Sequence, residues 1–249
     1  MILDKNKTMI PKIIHYCWFG RTPLPELAQK CIASWRKFLP DYEIKEWNED
    51  NFDINAIPYT REAYRMKKYA YVSDYARFYI LYHHGGLYFD TDVEIIKPMN
   101  DIIAKGSFMG KEFIKLSWHD IASTGINPGL GLGAAQGLSI YKEILSFYAI
   151  HHFVSWTGHH NSNETVVEIV TRIIEKHKIR PIGDGVELCH DIYIYSPEYF
   201  SPKNYTTGVL SLTSNTVSIH HYAASWVEKE TVWQKVKRRL KGIRVRLKS

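Results

Sequence analysis

Apolar and polar positions fall in blocks along this chain, and the period changes from block to block in a way that predicts alternating strands and helices. Ile10 to Gly20 is an apolar run ended by glycine, the pattern of a strand buried on both faces. From Pro25 to Phe38 the spacing becomes helical: Leu27, Ala28, Cys31, Trp35 and Phe38 share one side, Pro25 suits a first turn, and Pro40-Asp41 stops the run. Tyr42 to Trp47 reads as a second strand before the polar turn Asn48-Glu49-Asp50-Asn51, and a strand-helix-strand opening predicts a parallel sheet. A helix over 61–84 follows, ended by Gly85-Gly86. Leu87-Tyr88-Phe89 is then a short buried strand, and Val93 to Pro98 an edge-like one closed by proline. Residues 106–165 are less legible. Beyond them, Val166, Val167, Val170, Ile173 and Ile174 predict an amphipathic helix over 164–177, and Gly183-Asp184-Gly185 a turn. Residues 191–202 read as a strand and a proline-bounded turn, and Val217 to Trp226 as a final strand.

The chemistry concentrates just after the Gly85-Gly86 stop. Asp74 and Arg77 are three apart on the preceding helix and share a face. Asp90 and Asp92 leave the short strand one residue apart, and strand alternation points both carboxylates the same way. Adjacent carboxylates repel unless a cation lies between them. Oxygen ligands favour a hard divalent ion, magnesium or manganese, that keeps room for phosphate oxygens, and a nearby arginine offers a planar fork for the same phosphates. Near the C-terminus, alternation sends one of His220 and His221 inward and the other outward.

Ser73-Asp74-x-x-Arg77, a helix and Gly85-Gly86-x-Tyr88-x-Asp90-x-Asp92 together resemble the sugar-binding segment of glycosyltransferase family 32. That family includes capsular-polysaccharide sugar transferases and yeast mannosyltransferases and is related to the glucosylating clostridial toxins. The resemblance implies a GT-A-type single α/β domain, with a Rossmann-like mixed sheet flanked by helices over 1–230. It implies a retaining hexosyltransferase that uses manganese, or magnesium, and a UDP- or GDP-sugar, with UDP favoured. By the same resemblance, Trp18 would stack on the base at the end of the first strand, and Asp74 and Arg77 would orient the donor sugar. Asp90 would bind metal or ribose, Asp92 the metal directly, and Asn127 the donor sugar. His220 would complete the metal site (or His221 in a shifted register), while Ser225 and Trp226 close over the diphosphate. The resemblance also places a strand near 127–132 and a helix near 138–149.

Composition narrows the setting. Of a formal net charge of +6, eight positive charges fall within 231–249, which has no acid, so the other 230 residues carry a net −2. A basic tail on a mildly acidic body argues against a catalytic surface wrapped in nucleic acid. Trp233, Val236, Leu240, Ile243 and Leu247 predict a basic amphipathic helix over 231–249 that rests on an inner membrane surface, where a glycan or lipid-linked acceptor would be met. No run approaches the length of a membrane-spanning helix, and three scattered cysteines predict a reducing, cytoplasmic setting with peripheral membrane attachment. The run Gly129 to Gly133 lacks the context of a dinucleotide-binding turn. The His-rich stretch from His151 to His160 has no zinc-ligand spacing and suits an acceptor-side loop. Two other classes share these features: a haloacid-type phosphatase, which also carries Asp-x-Asp after a strand, and a non-enzymatic basic membrane- or nucleic-acid-binding protein.

Overall fold

The computed structural model describes residues 9–114, 123–155, 164–205 and 207–223. The predicted 231–249 helix, Ser225, Trp226 and residues 156–160 of the His-rich stretch lie outside them. An eight-stranded mixed sheet runs through the molecule. Its first half comprises β1 (Ile13–Cys17), β2 (Glu43–Trp47) and β3 (Gly86–Tyr88), with β1 central and parallel to both neighbours. The parallel opening is therefore as the strand-helix-strand pattern predicts. Beyond β3 the sheet turns mixed: β6 (Ser123–Ala134) is antiparallel to both β3 and β5 (Phe108–Ile114), while β9 (Ile192–Tyr195) is parallel to β5. A meander of β9, β8 (Val186–Cys189) and β7 (Ile179–Gly183) completes that edge.

Both faces of the sheet are covered, which explains the near-continuous apolar runs of the central strands. Ile14, Tyr16, Leu87, Phe89, Phe108 and Tyr195 point to one face, where α1 (Glu26–Phe38), α4 (Asn100–Lys105) and α7 (Pro197–Phe200) pack around Trp35 and Phe200. Cys17, Tyr88, Met109, Leu132 and Ile194 point to the other, under α2 (Pro58–Arg65), α3 (Tyr69–His84), α5 (Ser139–Ile150) and α6 (Val166–Ile174). Each large apolar side chain buried this way contributes about 1.5–3 kcal/mol.

The single helix expected over 61–84 is two. At the end of α2, Lys67 takes a left-handed conformation (φ 57°), its N–H donates to the Tyr64 carbonyl and that of Lys68 to the Ala63 carbonyl. These are the two bonds of a Schellman stop. Lysine is not the glycine that normally marks such a stop, so the break has no sequence signal. Gly85, by contrast, ends α3 as expected, at φ 63° with its N–H on the Leu81 carbonyl. The glycine run 129–133 lies within β6.

Val93 to Pro98 does not join the main sheet. Instead β4 (Val93–Ile95) pairs antiparallel with β10 (Ser218–His220) in a separate two-stranded sheet, with His220 opposite Val93. Helix α1 pins β4 in place: the Trp35 indole N–H donates to the Val93 carbonyl at 2.7 Å, and the Ile95 N–H to Ser34 Oγ at 2.9 Å. This small ribbon brings two distant stretches of sequence to one point.

Candidate metal and donor site

Asp90-Thr91-Asp92 is not a strand end, as alternation predicted, but a turn in which the Val93 N–H closes on the Asp90 carbonyl at 3.0 Å. The two carboxylates nevertheless converge, because the turn swings Asp92 toward β10. Asp90, Asp92 and His220 offer ligand atoms that all lie within 4.8 Å of one another, the one such cluster of three among the described residues. His220 Nε2 is 3.1 Å from Asp92 Oδ1, and the Ala223 N–H donates to Asp92 Oδ2 at 2.8 Å. His221 turns away to Glu94 at 2.8 Å, so the inward and outward assignment of the pair falls to His220 and His221 respectively.

The site's electrostatics divide the two acids. Burial works against charge on Asp92, but His220 and the Ala223 N–H outweigh it and hold the carboxyl below its ordinary range. Burial raises Asp90, against the pull of Arg77, and the neighbouring Asp92 adds to the rise. Burial would lower His220, yet Asp92, Asp90 and Glu112 raise it above its usual value. Its Nδ1 is buried without a hydrogen-bond partner. Two converging carboxylates, one of them raised by burial, and an imidazole with an orphaned nitrogen make a donor set that fits a divalent cation. Asp90 and Asp92 would supply oxygen and His220 nitrogen.

Asp74 and Arg77 stand behind this cluster in α3. The Arg77 guanidinium is 3.0 Å from Asp74 Oδ1 and 3.4 Å from Asp90 Oδ1, its Nε donates to the Ser73 carbonyl at 3.0 Å, and it lies 5.1 Å from the centre of the Tyr88 ring. The side chain is only 4% exposed. Arg77 thus braces Asp90 from inside, and Asp74 is pushed up to about 7 by burial despite the ion pair. Arg77 itself stays charged, since Asp90, Tyr88 and Asp74 together more than offset its own burial.

Four features of the site carried no signal in the sequence. Met109 faces Leu132 but Gly110 faces Asn127, so Pro128 to Gly131 are extra residues that leave the β5–β6 ladder. This excursion grips the turn: the Gly129 carbonyl accepts the Asp90 N–H at 3.2 Å, and a Cβ built on Gly129 would collide with Asp90 Oδ2. Asn127 supports it, accepting the Gly129 N–H at 2.7 Å while its amide donates to Glu112 Oε2 at 2.8 Å. The Tyr222 hydroxyl donates to the same Glu112 oxygen at 3.0 Å, and its ring lies 4.2 Å from that of His220. Glu112, Gly129 and Tyr222 come together only through strand pairing, which spacing along one chain does not reveal. We expect Gly129→Ala to displace the Asp90 carboxylate and weaken manganese binding about 10- to 100-fold, the usual effect of losing a group that orients a ligand. Calorimetric titration with manganese checks this, with Ile150→Ala, at an exposed position at the end of α5, as the control.

Trp18 lies one residue past β1, at the carboxyl end of the parallel strands, with its indole N–H on the Thr22 carbonyl at 2.6 Å. His15 is a satisfied strand histidine: Nδ1 accepts from the Trp47 indole, Nε2 lies 3.0 Å from the Gly85 carbonyl, and burial lowers it to about 4. His151 and His152 are engaged by the Phe147 carbonyl and Glu62. Cys17, Cys31 and Cys189 are buried free thiols.

Residues 25–109 match the family model described as "Glycosyltransferase sugar-binding region containing DXD motif". Inositol phosphoceramide mannosyltransferase 3 of Schizosaccharomyces pombe (strain 972 / ATCC 24843) is 22% identical over 215 residues, which cover 82% of this chain and 55% of that protein. Inositol phosphoceramide mannosyltransferase 1 of the same organism is 29% identical over 111 residues, 40% of this chain and 33% of that protein. The chain therefore spans between a third and little more than half of these relatives. The solved structure of "PaToxG Glycosyltransferase" superposes with a TM-score of 0.50 at 18% identity, over 68% of this chain and 70% of that one, which shows a shared fold. Asp90 and Asp92 both lie inside the matched segment.

Proposed function

We propose that this chain, which carries the sugar-binding region of a DXD glycosyltransferase on a mixed α/β fold of the GT-A kind, moves a sugar from a nucleoside diphosphate to a glycan or lipid-linked acceptor. The observation that carries the reading is the convergence of Asp90, Asp92 and His220, drawn from a turn and a distant strand onto one point. A family with this motif implies a divalent ion and a nucleotide-sugar donor. When bound, the ion, for which we favour manganese, offsets negative charge developing on the departing diphosphate. The chain's residues hold that arrangement: Arg77 and Gly129 fix Asp90, the Ala223 N–H fixes Asp92, and Asn127 holds Glu112 beside the cluster. Trp18 is the candidate platform for the base, where a stacked ring contributes about 1–3 kcal/mol. Asp74 orients the donor sugar, and Ser225 and Trp226, outside the described residues, close over the diphosphate.

Transfer retains anomeric configuration by same-face attack of the acceptor hydroxyl. UDP is favoured as the nucleotide. A lipid-anchored acceptor fits the relatives, whose names describe transfer to inositol phosphoceramide, and the basic tail 231–249 would hold the chain at an anionic cytoplasmic membrane surface in surface-polysaccharide synthesis. A thermal-shift screen of UDP- and GDP-sugars, with manganese and with chelator, tests the reading. A donor at 100 times its Kd contributes about 2.7 kcal/mol, or roughly 5–10 °C for a chain of this size. The shift should require manganese. Equal melting with every donor would reject the assignment.

A further inference from the structure

We propose that the loop between α7 and β10 is a bilayer-docking element that seats this protein on lipid beside the Asp90–Asp92–His220 cluster. Nine large apolar side chains are exposed among the described residues, and four of them, Tyr205, Val209, Leu210 and Leu212, fall within eight positions of this one loop. Their exposures run from 46% to 59%. Scattered exposed apolar residues are ordinary, whereas a cluster marks a surface that is covered in use.

The loop is built to present them. Lys203 and Leu210 form an antiparallel bridge, the Asn204 N–H donates to the Val209 carbonyl at 2.9 Å, the Gly208 N–H to the Asn204 carbonyl at 2.8 Å, and the Ser211 N–H to the Pro202 carbonyl at 3.0 Å. Backbone groups paired in this way remove the main penalty for placing a loop against lipid. Its base is stitched to the rim of the site. Ser201 Oγ lies 2.7 Å from the Tyr222 hydroxyl, Lys203 Nζ donates to the His221 carbonyl at 3.0 Å, and the rings of Tyr205 and Tyr222 are 6.0 Å apart. Tyr222 in turn lies against His220.

The choice of lipid over a protein partner rests on charge and size. No Asp or Glu occurs from 199 to 223, while Lys203 and Lys97, the latter on the Thr213 and Ser214 carbonyls, flank the apolar residues. A loop tip with no acid of its own and lysines at its flanks complements an anionic bilayer. Four side chains on one loop fall well short of the roughly 800 Å² per partner that a stable protein interface buries. A bilayer needs no such area and no matching shape. Tyrosine at the edge of the patch suits the headgroup level.

The proposal is independent of the reaction, because binding is read without donor or acceptor. The full chain is sedimented with phosphatidylcholine vesicles, with and without phosphatidylserine, at low salt and at about 1 M salt, where screening shortens to ~3 Å and attraction by the basic tail is lost. Val209→Asp/Leu212→Asp should lower vesicle affinity tenfold or more and abolish what remains at high salt. Ile150→Asp, at a position 79% exposed on another element, should change nothing. Val209→Trp should tighten binding severalfold with its melting temperature, and its sedimentation without vesicles, unchanged, which separates the gain from misfolding. Wild-type binding retained in the aspartate variant would assign attachment to the tail alone and overturn the proposal. So would a wild-type dimer that the variant converts to monomer, or a wild type that binds no vesicles.

Discussion

Asp92→Asn should lower manganese-stimulated donor hydrolysis by roughly 10³-fold or more, since a cation's stabilisation of a leaving diphosphate amounts to several kcal/mol and each 1.4 kcal/mol is tenfold. The substitution removes charge with little change of shape. Amide oxygen can still accept the Ala223 N–H, and the backbone contact of the Asp92 carbonyl with the His221 N–H at 2.9 Å is untouched. The variant should therefore fold, with an unchanged circular dichroism spectrum, and lose the metal-dependent part of any donor-induced thermal shift. Asp92 is the informative choice of the two acids because His220 and the Ala223 N–H favour its charged form, whereas burial works against charge on Asp90. Hydrolysis at the wild-type rate would remove Asp92 from the site. Loss of activity with manganese affinity intact would make it a group that touches donor and not metal.

What the sequence made legible follows from how each feature is encoded. Local signals survived: the apolar run of β1, the helical spacing of α1, the Gly85 stop and the Asp74–Arg77 face are all set by neighbours along the chain. The convergence of Asp90 with Asp92 was expected for the wrong local reason, alternation in a strand, where a turn and β10 produce it. The break at Lys67 was invisible because a lysine occupies a position that glycine usually announces. Gly129 looked like part of a glycine-rich run without context, and its meaning appears only when the excursion in β6 lays it against Asp90. Glu112 sits in an unremarkable strand, and nothing in its neighbourhood predicts that Asn127 and Tyr222 would share one of its oxygens. Pairing across the sheet carries this information, and a single sequence does not spell out pairing.

Arg77→Met should be the most destabilising single change near the site, by about 3–5 kcal/mol at neutral pH, because it leaves two buried carboxylates without their shared countercharge. The guanidinium serves Asp74 at 3.0 Å and Asp90 at 3.4 Å at once, and methionine replaces its bulk but not its charge. The loss should depend on pH with a definite sign. Asp74 and Asp90 are already raised by burial, Asp74 to about 7, and removing Arg77 raises both further. A carboxyl whose folded pKa lies above its unfolded value binds more protons folded than unfolded, so stability falls as pH rises between the two values. The deficit of the variant should accordingly be larger at pH 8 than at pH 5.5 in urea unfolding, and smaller at either pH once manganese supplies Asp90 with a countercharge. A deficit of equal size at both pH values, unmoved by manganese, would mean that Arg77 matters for packing and not for holding Asp90 ready for a cation.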